Sequence, residues 1–349
     1  MTCHFNCIAT GIGSLPIVDP DQAAALSLKY VMEAPFWPQL PQRDFREHMD
    51  AQYSQTLPGV ILDEVKQKVY FDTSHDLTPE LEKFFERYLE KDYGFFGMTD
   101  EYAPGFTAYI RAMKKGFPRG VRFVKGHITG PLTAGTSFKD ETGRDIIHNE
   151  VIFDAVVKGL AMKAAWQIRE MKQFNKPVII FIDEPAMESL GSGFSAVSQE
   201  VVAEKLNEII DTIHELGGIA GIHCCGNADW PMIFNTRVDI VNFDAFGYME
   251  KVMLYPAEIR KFIDRGGALA WGVVPTGAFT GNETADMLIA KLHKGMNRLE
   301  KEGVDRKRIL RQCLITPSCG LGSLTPDKAE SILKLLREVS DKMQQLIAT

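Results

Sequence analysis

The 349-residue sequence predicts a single-domain (β/α)8 barrel over residues 1–349, with an N-terminal helical and loop decoration. Three observations carry that expectation. Apolar, β-branched runs recur along the chain, and segments of helical periodicity separate them. Continuous apolar strands alternating with helices indicate a parallel sheet covered on both faces. The polar residues of the runs cluster at their C-terminal ends, where a barrel of this type carries its chemistry.

Taken in order, the clearest strand-like runs are ATGIGS (9–14), VRFVKGHITGP (121–131), KPVIIFIDEP (176–185) and GIAGIHCCG (218–226). VDIVNFDAF (238–246), ALAWGVVP (268–275) and CLITPSCG (313–320) follow, and an eighth is expected within GVILDEVKQKVYFD (59–72). Apolar positions repeat at helical spacing over 151–173, 199–216 and 284–301. A last helix opens with Thr325 as N-cap and Pro326 at its first position, and its apolar face runs Ile332, Leu333, Leu336, Val339, Met343. About eight such units suit a closed barrel better than a doubly wound sheet. GIGSLP after the first strand lacks the third glycine of a dinucleotide-binding turn. Residues 20–120 are irregular and aromatic-rich, a decoration or a lid over the barrel mouth. Within them, PFWPQLPQR (35–43) reads as an extended, proline-fixed segment with exposed aromatics: a surface loop, part of the mouth, or a docking site for a corrinoid-carrying partner. The acidic stretch 86–101 reads as a solvated helical face.

Composition narrows the partners. The net charge is −7 with no basic stripe, which disfavours nucleic acid. No apolar run approaches the roughly 20 residues of a membrane helix, and the N-terminus lacks the charged and apolar regions of a signal peptide. A cytoplasmic protein that neither spans nor coats a membrane is the expectation. Cysteines stand at 3, 7, 224, 225, 313 and 319; in such a chain they are buried, metal-binding or catalytic before they are disulfide-paired. Cys3 and Cys7 have no histidine cluster near them and are given no role.

The strand-end polar residues are Ser14, His127, Thr129, Asp183, Glu184, His223 to Cys225, Asp244 and Cys319. Alternation along GIHCCG puts His223 and Cys225 on one face and Cys224 on the other. Cys319, at the end of the last strand, supplies a third ligand if the barrel closes. Zinc accepts such mixed nitrogen and sulfur ligands tetrahedrally and keeps a position for substrate at a catalytic site. Spacing alone leaves an equally simple alternative, a buried histidine beside two inert core cysteines. Asp244 is either a fourth ligand or a carboxylate that only orients a ligand histidine. Zinc lowers the pKa of a bound thiol, so a sulfur-rich site suits alkyl transfer to sulfur better than hydrolysis. His127 is a candidate contact to donor or substrate. Trp230 reads as core.

The set IGSLP, DEPAM, H-x-C and PSCGL, in that order, resembles the catalytic domain of cobalamin-independent methionine synthase. That family lies within the wider superfamily of uroporphyrinogen decarboxylase and corrinoid:thiol methyltransferases. The resemblance extends over nearly the whole chain, to one domain; 349 residues leave no room for the duplicated N-terminal half of the long enzymes. It implies a (β/α)8 barrel with zinc at its mouth, held by His223, Cys225 and Cys319, with Asp244 where the family has a glutamate ligand. It implies that Ile12, Gly13 and Ser14 hold the carboxylate of homocysteine and that Asp183 pairs with its ammonium group. The departures concern the methyl donor. The family's pterin-stacking tryptophan is absent from LTAGTSF, where Thr136 stands about where the ring would be. The family's proton-donor histidine is absent from WGVVPTGA. Both losses argue against a folate donor and for a methyl-corrinoid, free as methylcobalamin or on a corrinoid protein. Alternatives are transfer to another thiol such as coenzyme M, a decarboxylase resembling uroporphyrinogen decarboxylase, or a non-catalytic zinc- or corrinoid-binding protein.

Overall fold

In the computed structural model, residues 4–190 and 197–348 are described; Cys3 lies outside them. Seven strands form one parallel sheet: β1 (Ile8–Ala9), β4 (Val124–Thr129), β5 (Val178–Asp183), β6 (Ile219–Cys224), β7 (Ile240–Phe243), β8 (Ala268–Val274) and β9 (Cys313–Pro317). Their spatial order, β1-β9-β8-β7-β6-β5-β4, is that of a chain winding round a barrel from β4 to β9 and back to β1. Each of the seven expected runs therefore holds a strand, and Thr129, Asp183 and His223 are paired at the C-terminal ends of theirs.

The expected eighth strand is not where the sequence put it. Residues 59–72 fold as an antiparallel hairpin, β2 (Val60–Asp63) with β3 (Lys68–Phe71), outside the parallel sheet. The charged DEVK stretch makes the turn, and Gln67 takes a left-handed φ of 51° there. The gap between β1 and β4 is filled by residues 35–39, from the proline-rich segment expected as a surface loop or part of the mouth. Phe36 makes a parallel bridge to Lys125 on one side, and Gln39 makes one to Ser14 on the other. Trp37 N–H donates to the Lys125 carbonyl (3.2 Å) and Gln39 N–H to that of Gly13 (3.0 Å). Pro35 and Pro38 have no N–H to offer, so the segment closes the ring with isolated bridges rather than a ladder. Its aromatics are not exposed: Phe36 and Trp37 are 1% and 0% accessible. The Phe36 ring presses on Gly11, where a Cβ would lie 2.2 Å from it.

Helices cover the outside. The longest, Glu150–Met171, is capped by Asn149, whose side chain accepts from Ile152 N–H. Ser198 and Thr284 cap Gln199–Glu215 and Ala285–Lys301 in the same way. The last helix, Pro326–Ala348, buries Ile332, Leu333, Leu336, Val339 and Met343. The interior of the ring is a separate apolar cluster, with Ile8, Phe181, Ile219, Ile240 and Leu314 filling its lower end.

The decoration comprises helices Pro20–Tyr30, Thr78–Leu89 and Pro104–Lys115 and the hairpin. Lys163, buried in the helix Glu150–Met171, ties it down by donating to the carbonyls of Gln55 (2.8 Å) and Phe96 (3.3 Å). In the acidic stretch 86–101, Glu86, Glu90, Asp100 and Glu101 are exposed, but the helix ends at Leu89 and Phe96 and Met98 are buried. Among the described residues no helix is long and apolar enough to cross a membrane.

Candidate metal centre and active site

The ligand-type atoms of His223, Cys225 and Cys319 lie within 4.8 Å of one another at the C-terminal end of the barrel. Strand alternation produces two of them. His223 is the last inward residue of β6 and Cys225 follows just past the strand. Cys224 faces the other way, fully buried, its thiol pushed up to about 12 by burial. The third arrives from across the ring, two residues beyond the end of β9.

A hydrogen-bonded chain orients the imidazole. In the register of β6 and β7, Asn242 stands opposite His223. Asn242 Nδ2 donates to the Ala270 carbonyl and to Thr316 Oγ1, both at 2.8 Å. Its Oδ1 is thereby left as the acceptor for His223 Nδ1, 2.5 Å away. Nδ1 therefore carries a proton, and Nε2 is the ring nitrogen turned to Cys225, where it could ligate a metal. Hydrogen bonds from Cys319 and His223 hold the Cys225 thiol below its ordinary range; the Cys225 contact and burial drive Cys319 upward. The pair releases one proton easily and the second reluctantly, a balance that a divalent cation reverses by replacing both.

Asp244 is not brought into this group. Its Oδ1 accepts the Gly247 N–H at 2.7 Å, and burial raises its carboxyl above the usual range. The aspartate side chain caps the turn after β7, so the structure assembles three of the four residues expected at the metal.

Asp183 stands in register between Thr129 of β4 and His223 of β6. Its Oδ1 is buried with no partner among the described residues. Burial raises its carboxyl, and the charges of His223 and Lys125 oppose that rise. The Ile12–Gly13–Ser14 turn lies beside it. Ser14 accepts from Leu321 N–H at its carbonyl (3.0 Å) and from Gly322 N–H at its hydroxyl (3.1 Å), which joins the turn to the Cys319 loop. Gly13 lies on the His127 ring, where a Cβ would come within 2.7 Å, so only glycine fits.

These residues enclose a cavity of about 330 Å³, lined by Ile12, Ser14, Asp183, His223, Cys225 and Cys319. Gln39, Glu47, His48 and Met49 line it as well, so the decoration does reach the mouth. A larger hollow, about 480 Å³ between Pro104–Lys115 and Glu150–Met171, lies on the outer wall and holds none of the strand-end residues.

Glu47 was not singled out in the sequence. It is fully buried, accepts from Arg43 (2.8 Å) and from Leu40 N–H (3.1 Å), and burial raises it to about 7. No local pattern marks it, because it sits in a single 3₁₀ turn of an irregular segment. Glu184, by contrast, is structural. It accepts from Leu132 N–H, Thr133 N–H and Thr133 Oγ1 at 2.6–2.9 Å and so caps the helix Pro131–Ser137. His127 does not line the cavity; it is buried beneath Gly13 and stacked on Trp37 with ring centroids 4.0 Å apart. Thr136 Oγ1 donates back to the Leu132 carbonyl, and Trp230 is core against Phe234 and Phe243.

No protein-family model matches the chain, and no curated protein does. Solved structures do match. A B12-independent methionine synthase from Shewanella sp. W3-18-1, in complex with selenomethionine, superposes with a TM-score of 0.60 at 16% identity, covering 98% of this chain and 100% of that one. A GH20 catalytic module of the pneumococcal exo-β-D-N-acetylglucosaminidase StrH matches with a TM-score of 0.43 at 9% identity, covering 96% and 85%. The class is therefore a TIM-like (β/α)8 fold bearing a His/Cys/Cys cluster at its mouth. Within that class, this chain resembles the B12-independent methionine synthase in fold along its whole length.

Proposed function

We propose that the chain is a zinc-dependent thiol S-methyltransferase that moves a methyl group from a methyl-corrinoid to homocysteine, giving methionine. The observation that carries this is the convergence of His223 Nε2 and the Cys225 and Cys319 sulfurs beside the unpartnered carboxylate oxygen of Asp183. The donor set fits zinc: one imidazole whose Nδ1 is tied to Asn242, and two facing thiols, of which Cys225 is already poised to lose its proton. When bound, zinc would lower the pKa of a substrate thiol so that it is nucleophilic near neutral pH.

The chain's own residues supply the rest. Asp183 and Glu47, which both line the cavity, offer carboxyl groups to a substrate ammonium group; the turn at Ile12–Ser14 offers backbone and hydroxyl donors to a carboxylate. A cavity of about 330 Å³ suits an amino acid. In the transfer, the substrate thiol loses its proton to solvent, and the thiolate forms the S–C bond as the Co–C bond of the methyl-corrinoid co-substrate breaks. The electron pair stays on cobalt as Co(I), so no proton donor is required, and none is placed over the cavity by WGVVPTGA. A corrinoid-carrying protein as donor, one functional unit over residues 1–349 and a cytoplasmic setting belong to the same proposal; one core cluster running from Cys7 to Met343 supports the second.

The test is methionine formation from methylcobalamin and homocysteine by the purified, metal-containing chain. Cys225→Ala or Cys319→Ala abolishes it on this reading. Turnover indifferent to both changes overturns it, and turnover with methyltetrahydrofolate alone overturns the donor. Transfer to coenzyme M, a sulfonate with no ammonium group, is distinguished by its indifference to Asp183→Asn.

A further inference from the structure

Lys125 lies inside the barrel, fully buried, with no place in the chemistry just described. Its side chain points inward with those of His127 and Thr129, two and four residues on. Nζ donates to the Ile12 carbonyl at 2.5 Å and sits 4.1 Å from the centre of the Phe181 ring. Its backbone accepts from Trp37 N–H and donates to the Pro35 carbonyl (3.0 Å). One residue thus grips the closing segment with its main chain and reaches past it to the turn at Ile12–Ser14 with its side chain.

A buried ammonium is costly unless its charge is answered and its protons are used. Here the answering charge is the Asp183 carboxylate, whose attraction opposes the effect of burial on Lys125. Lys125 does not line the cavity, so it neither attacks nor touches a substrate. It bonds one group that does, the Ile12–Ser14 turn, and its charge is felt by another, Asp183.

We propose that Lys125 is a positioning residue that sets the amino-acid end of the thiol site, fixing the Ile12 carbonyl so that the Gly13 and Ser14 donors face the cavity and supplying the counter-charge for Asp183. This rests on reading the mouth as an amino-acid thiol site. Its consequence is specificity: Lys125 governs how strongly the site prefers homocysteine to a thiol with no ammonium or carboxylate.

The experiment is calorimetric binding of homocysteine and of ethanethiol to the zinc-loaded chain and to its Lys125→Met and Lys125→Gln variants. The unmodified chain prefers homocysteine. Met keeps the length of the side chain but removes donor and charge, and the preference falls roughly 10–100-fold, the range expected for one charged hydrogen bond. Gln restores a neutral donor and part of the preference. A merely structural lysine weakens both ligands alike and leaves their ratio unmoved, which overturns the proposal. So does a wild-type chain with no preference, or loss of fold or zinc in both variants, which makes Lys125 a stability element instead. Preferred binding of homocysteine without methionine formation leaves this proposal standing and removes the methyl-transfer reading alone.

Discussion

Cys313 and Cys319 sit at opposite ends of one short strand; burial and a neighbouring cysteine raise both thiols, but their access and their partners differ. Cys313 begins β9 at the floor of the barrel, inaccessible, with Cys7 beside it and Sγ 3.6 Å from the Leu314 carbonyl. Burial drives it far above the ordinary thiol range. Cys319 lies just past the other end, half-buried, facing Cys225, the imidazole of His223 and a cavity open to small molecules. The floor pair shares its proximity but has no access, and the charge of Arg306 only weakly opposes the rise that burial and Cys7 impose on Cys313. Reactivity belongs to thiolate and exposure, and both are properties of the mouth.

The sharpest way to break this comparison is alkylation. In the chelator-stripped chain, iodoacetamide at pH 6–7 labels Cys225 first, because its lowered pKa leaves thiolate present where an ordinary cysteine is protonated. Cys224, pushed up to about 12, stays unlabelled until the pH approaches that value, and Cys313 stays unlabelled throughout. A difference of roughly a thousandfold or more in rate is expected from thiolate fraction and access together. Peptide mapping by mass spectrometry reads it directly. Equal labelling of floor and mouth contradicts it. Zinc added beforehand protects Cys225 and Cys319 and changes nothing at the floor.

A smaller effect sharpens the reason for the difference. The mouth has an imidazole held in one tautomer by Asn242, which is itself fixed by Ala270 and Thr316. Asn242→Ala frees that ring, and zinc affinity measured by chelator competition falls about 10–100-fold without loss of the three ligands. Unchanged affinity places the orienting force elsewhere.

The same contrast explains what the sequence could and could not convey. The His223 and Cys225 pairing was legible because strand alternation is local and has a period of two. Cys319 was legible only through closure of the ring, since nearly a hundred residues separate it from Cys225. Asn242 was within reach of the same reasoning: it lies two residues before Asp244 on the same face, and register places it opposite His223. The metal role expected of Asp244 depended on which way one short carboxylate turns, and here it turns to the Gly247 N–H. The eighth strand was misplaced for a definite reason. A hairpin's alternation imitates a strand at 60–71, whereas the segment that closes the barrel has two prolines and so lacks the pattern of a ladder. Glu47 and Lys125 carry no pattern at all, because each acts through contacts made only when distant segments meet.

The account stands on metal held by one nitrogen and two sulfurs of this chain. X-ray absorption at the zinc edge on the purified protein, with and without homocysteine, tests that most directly. It predicts two protein sulfurs at about 2.3 Å and one imidazole nitrogen at about 2.0–2.1 Å, with a third sulfur appearing when homocysteine is added. Zinc absent from the protein, or a sulfur count that homocysteine does not change, would contradict it.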